Sequence, residues 1–102
     1  MSDIRQARRT LTERILKGAA KASAPDRRAA FDDSGLPVPL GTLVDKVARY
    51  PHRVTDDDIA AARGAGLSED QIFEIVVCAA VGQATRQCDA AVTALEAAAR
   101  KE

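Results

Sequence analysis

Gly66-Leu67-Ser68-Glu69-Asp70-Gln71-Ile72 is a helix start written almost in full. Ser68 supplies a capping hydroxyl, and Gln71 three residues on completes a capping box. Leu67 and Ile72 can close a hydrophobic staple across the cap. Glu69 and Asp70 place negative charge at the positive end of the helix dipole. No proline follows, and Gly82 is the only glycine downstream. The spacing therefore predicts one helix of about 30 residues, roughly 45 Å long, from Gly66 to about Ala99. The rest of a 102-residue chain must pack around it.

Along that helix Phe73, Val77, Ala80, Ala84, Cys88, Ala91 and Leu95 recur at a spacing near 3.5. Ile72, Ile75, Val76, Ala79 and Val92 widen the stripe. Its first half is apolar nearly all round apart from Glu74, which predicts a central helix buried on several sides. Gly82 and its small neighbours permit close helix approach. Gln83, Thr85, Arg86, Gln87 and Asp89 form a polar middle.

Working backwards, Thr55-Asp56-Asp57-Asp58-Ile59 repeats the same start signal, with Thr55 as cap and Asp58 in the third position. It opens a short helix, Asp56 to Gly64, that Gly66 ends in a left-handed position. The three aspartates point in different directions on a helix, so they read as a helix start and not as a metal site. Pro39 to Tyr50 is a third helical segment, with Leu40, Leu43, Val44 and Val47 inward. Tyr50-Pro51-His52-Arg53-Val54 is a connector. Pro25 opens a short helix over 25–33 with Ala29, Ala30 and Phe31 inward. Residues 3–22 form a first amphipathic helix, capped by Ser2 or Asp3. Ile4, Ala7, Leu11, Ile15 and Leu16 lie on one face, with Arg5, Arg8, Arg9, Glu13, Arg14 and Lys17 on the others. No segment alternates as a strand would, so the fold class is all-α: an antiparallel helical bundle with one long C-terminal helix. The organisation is one domain, with a basic helical arm over 1–36 and a helical core over 37–102.

Alanine supplies 21 of the 102 residues, and Phe31, Tyr50 and Phe73 are the only aromatics. Alanine favours helix but buries little area. Such thin helices need a partner surface, and a homo-oligomer is expected. Net charge is zero, yet residues 1–28 hold eight Arg/Lys against three Asp/Glu, and residues 29–102 hold seven against twelve. Mutual attraction of the two parts accounts for this better than a nucleic-acid contact does. The chain has neither a secretory h-region nor an 18-residue apolar run, which points to a cytoplasmic protein with no membrane partner.

The residues able to carry chemistry are few. Cys78 and Cys88 stand ten apart, about 15 Å along one helix, too far to pair within it. Each reads first as a small buried hydrophobe. Glu74 interrupts an apolar surface and is a candidate acid or base with a raised pKa, or an arginine's partner. Arg86 reads as an inter-helix ion pair, or an anion contact, and can also pair with Asp89. His52 is the only histidine and there is no C-x-x-C pair, so no metal site and no cofactor are implied. Ala62, Gly66 and Ile72 match helix-turn-helix spacing. The exposed start of the second helix is acidic, however, which sets it against phosphate.

From Leu43 to Ala91 the sequence resembles the C-terminal part of an AhpD-like domain, of the alkylhydroperoxidase and carboxymuconolactone decarboxylase superfamily. The resemblance is carried by Lys46-Val47-Ala48-Arg49-Tyr50-Pro51, Val54 to Ile59, Gly66 to Ile72, and Ala84-Thr85-Arg86. It covers about half the chain. It implies an all-α fold that oligomerises, often as trimers or hexamers. Active members resemble one another in a C-x-x-C-x-x-x-H helix with an upstream Glu. No cysteine precedes Cys78 here, so those catalytic cysteines map to no residue. Arg86 matches an Asn-Arg step on the last helix, with Thr85 in place of the asparagine. The expectation is a non-catalytic or accessory oligomeric assembly, with ligand contacts sought at Arg86 and His52. The alternatives are a thiol peroxidase using Cys78 or Cys88, with Glu74 assisting and an external reductant, and a DNA-binding module.

Overall fold

The computed structural model describes residues 2–101, and for residue 2 the backbone only. Five α-helices follow in order: α1 (Ser2–Lys17), α2 (Ala24–Asp32), α3 (Leu40–Arg49), α4 (Asp56–Gly64) and α5 (Glu69–Arg100). A short 3-10 turn at Pro51–Arg53 lies between α3 and α4. There is no strand among the described residues, so the all-α class holds. α5 is a single 32-residue helix. Its capping box is formed as the sequence predicts, with Gln71 N donating to Ser68 Oγ at 3.1 Å and Ser68 N to Gln71 Oε1 at 2.9 Å. α4 starts on the matching Thr55–Asp58 box. Gly66 has φ +103°, the left-handed turn that joins the two helices.

α1 ends at Lys17, five residues before the expected limit. The reason is tertiary. Arg27 on α2 takes the Ile15 and Gly18 carbonyls, both at 2.9 Å, and the chain turns there. The Ser2 side chain expected as a cap is not described, and Asp3 lies inside the first turn and so is not the cap.

The core is Leu16, Ala22, Ala30, Phe31, Leu40, Leu43, Val44, Ala62, Ile72, Ile75, Cys78 and Ala79. α2 and α3 pack most extensively on α5, and Gly82 makes that approach possible. A Cβ at Gly82 would stand inside the Phe31 carbonyl group and 2.9 Å from the Phe31 Cα. α1 runs antiparallel to α5, since Arg5 meets Glu96, Arg8 meets Asp89, and Lys21 after the helix meets Asp70. These pairs join the basic start of the chain to the acidic long helix.

The first half of α5 is buried on several sides, as expected, with Ile72, Ile75, Cys78 and Ala79 in the core. The stripe from Phe73 to Leu95 does not face the core. Phe73 is 69% exposed and Leu95 70%. α5 carries two apolar faces, and α2 and α3 take the one formed by Ile72, Ile75, Ala79 and Gly82. The molecule measures 55 × 29 × 20 Å, because α5 extends well past the short helices. No helix among the described residues is long and apolar enough to cross a membrane.

Candidate functional site

Two clusters of chemistry-bearing side chains form along the α1–α5 contact. The first lies where α1, α2 and α5 meet. Glu74 and Cys78, one turn apart on α5, share a cavity of about 130 Å³ with Arg14, Ile15, Phe73 and Arg27. Glu74 acts as a cap for the chain after α1. Its carboxylate accepts from Lys21 N at 3.0 Å and Ala22 N at 2.8 Å. Those two backbone donors hold its pKa below the ordinary carboxylate value, with the Arg27 charge adding a little. The raised pKa expected for a general acid is therefore wrong. The burial that would raise it is outweighed by direct N–H bonds to the charged form.

Cys78 is buried, as a small hydrophobe should be. Its sulfur lies 3.9 Å from the Ile15 carbonyl. Burial raises the thiol pKa, against a smaller opposing effect of Arg27, so the thiolate is disfavoured at neutral pH. Arg27 is only 6% exposed. It donates twice to the end of α1, and its Nε is buried with no acceptor among the described residues.

The second cluster is Arg8, Cys88 and Asp89. Arg8 Nη1 donates to the Cys88 sulfur at 2.8 Å and Nη2 to Asp89 at 2.5 Å. Cys88 is exposed, contrary to its reading as a buried hydrophobe. The Arg8 side chain reaches both groups from α1, and Cys88 and Asp89 both stay exposed. Asp89 pairs with Arg8 and not with Arg86. An open groove of about 430 Å³ runs alongside, lined by Arg5, Arg8, Arg9, Thr85, Asp89 and Val92 among others.

Arg86 makes no ion pair among the described residues. It donates to the Phe31 carbonyl at 2.5 Å and to Gln83 Oε1 at 2.9 Å. Its task is to satisfy a carbonyl near the end of α2, a helix terminus with no partner of its own for that group. His52 stands apart in the 3-10 turn, exposed, with its ring edge-on to Tyr50 at 6.5 Å between centroids. Glu74 and Cys78 are thus brought together, whereas Cys88, Arg86 and His52 go to three other places. Among the described residues no group of three His, Cys, Asp or Glu is placed to hold a metal ion.

Arg8 and Arg27 were not singled out by the sequence. Both sit in a run of basic residues that reads as solvated surface. The only hint was position: Arg27 lies between Asp26 and the inward Ala30-Phe31 pair. No family model, no curated protein and no solved structure matches the chain.

Proposed function

We propose that the chain is a non-catalytic or accessory assembly protein whose working form is a homo-oligomer. The observation that carries this reading is the apolar face of α5 left open in the single chain. Phe73, Ala80, Ala84, Ala91 and Leu95 are exposed on one side of a helix whose other side is already packed. α1 adds Ile4, 59% exposed, and Leu11, 50% exposed. An exposed apolar surface of this extent marks a contact surface. The AhpD-like resemblance over residues 43–91 supports the same reading, since that family oligomerises. The groups that would run a thiol mechanism at the α1–α2–α5 junction are occupied: Glu74 holds backbone donors and Cys78 is buried.

Sedimentation at micromolar concentration tests the proposal. The expected result is a single oligomeric species, and a clean monomer refutes it.

One observation favours a second reading. The exposed Cys88 sulfur has the Arg8 guanidinium against it. In that reading the thiolate attacks the outer oxygen of an organic hydroperoxide. The O–O bond breaks, an alcohol leaves after taking a proton, and the sulfur becomes a sulfenic acid. One external thiol condenses with it to a mixed disulfide and water, and a second releases the Cys88 thiol and leaves as the external disulfide. Free-thiol content after stoichiometric hydroperoxide decides between the two. Rapid loss confined to Cys88 supports the enzyme, and thiols that stay intact support the assembly.

A further inference from the structure

The open face of α5 has a symmetry that identifies its partner. Phe73, Val77, Ala80, Ala84, Cys88, Ala91 and Leu95 are spaced 4, 3, 4, 4, 3, 4, which reads the same in both directions about Ala84. The face is also free of charge. Between Ile75 and Ala99 α5 holds three charged residues, and each turns toward α1 or α2. Arg86 goes to the Phe31 carbonyl, Asp89 to Arg8, and Glu96 to Arg5. The large residues stand at the two ends and alanines in the middle, so a second helix can approach closely along the whole length.

We propose that two copies of the chain pair antiparallel through this stripe, about a two-fold axis at Ala84, with Phe73 of one against Leu95 of the other. Val77 then faces Ala91, and Ala80 faces Cys88, twice each. A self-complementary patch of this kind is what a closed two-fold interface requires. A spacing near 3.5 is the period at which two helices keep one seam in contact. Charge selects the direction. The stripe begins beside Glu69 and Asp70 and ends beside Arg100 and Lys101, so antiparallel pairing sets acid against base at both ends. Parallel pairing would set like against like. Glu69 and Asp70 already touch Arg63 and Lys21 in their own protomer, and all four side chains are exposed enough to share.

α1 widens the seam. Ile4, Ala7, Leu11 and Arg14 follow one helical line, and Arg14 borders the same cavity as Phe73 and Val77. The exposed Ile4 and Leu11 therefore lie along the α5 stripe. From Phe73 to Leu95 the stripe spans about 33 Å. A specific interface needs roughly 1,000 Å², and the two α1 edges add apolar width to that length.

The inference rests on the oligomeric reading above, and disulfide trapping with diamide separates the two. On a Cys88→Ser background, Ala84→Cys is expected to form a covalent dimer at least tenfold faster than Asp57→Cys, on the exposed start of α4. Ala80→Cys is expected to cross-link when Cys88 is kept, and not on the Cys88→Ser background. Phe73→Glu, at a position exposed in the protomer, is expected to weaken association at least 100-fold with helicity unchanged. Cross-linking of wild type through Cys88 alone, or of Ala80→Cys without Cys88, means parallel pairing and overturns the proposal. An oligomer that Ala84→Cys does not trap overturns the seam and leaves the oligomer standing. A wild-type monomer overturns both.

Discussion

Gly82→Ala sets two effects of opposite sign against each other. In the middle of a helix, replacing glycine by alanine stabilises by about 1 kcal/mol. At Gly82 the added methyl meets the backbone of α2, with the Phe31 carbonyl carbon 2.7 Å and the Phe31 Cα 2.9 Å from the new Cβ. These are backbone atoms, so no side chain can rotate away, and α2 must move off α5. Overpacking of this kind costs about 1–3 kcal/mol. The same movement pulls the Phe31 carbonyl from Arg86, one turn further along α5. A hydrogen bond from a charged donor contributes about 1.5–3 kcal/mol. The net loss is about 1.5–5 kcal/mol, because the two costs together exceed the helix-propensity gain. For a domain of this size that lowers the melting temperature by at least about 6 °C. Gly64→Ala, also helical but with nothing within 4 Å of the new Cβ, is the control and should hold or raise stability. Thermal unfolding followed by circular dichroism reads both. A Gly82→Ala protein as stable as wild type would mean that α2 does not lie where the packing places it.

Arg27→Met removes both donors from the end of α1 and should cost about 2–4 kcal/mol in urea unfolding, with Arg27→Lys intermediate; a loss under about 0.5 kcal/mol would contradict the buried role. Glu74→Gln tests the cap through pH. Because backbone donors lower the Glu74 pKa in the folded chain, its contribution is present above the unfolded value of 4.5 and fades as pH falls through the folded one. The gap between wild type and Glu74→Gln should therefore be widest near neutral pH and close in acid; a gap that widens in acid would reverse the assignment. Asp58 and Asp70, lowered first by hydrogen bonds from Lys46 and Lys21, add to the same acid loss, whereas Asp33, raised first by burial, opposes it. In native buffer a maleimide should label Cys88 within minutes and Cys78 only after unfolding, and mass mapping of the adducts would expose the reverse order.

What was legible in the sequence was local. Ser68 and Gln71, Thr55 and Asp58, Pro25, and Gly66 fix where helices start and turn, because caps and turns are settled by atoms within four residues of each other. The all-α class and the long last helix followed from those signals and from helical periodicity. Periodicity also showed that α5 is apolar on more than one side, but it could not tell which side turns inward. That choice is a sum over distant contacts. The Gly82 notch fits the Phe31 backbone, so α2 and α3 take the Ile75 side and the Phe73 side stays open. Glu74, Cys78 and Cys88 were legible as candidates, but the partners they meet were hidden for the same reason. Glu74 looked like an isolated acid until the chain after α1 delivered two N–H groups to it. Arg27 and Arg8 looked like solvated charge until α2 placed one under the end of α1 and α1 laid the other against Cys88. The sequence by itself determined where each helix begins and that the first half of α5 is apolar nearly all round. Only the tertiary structure decided which face is buried and which charged groups meet, because those outcomes depend on residues 52 to 91 positions apart being brought to within a few ångströms.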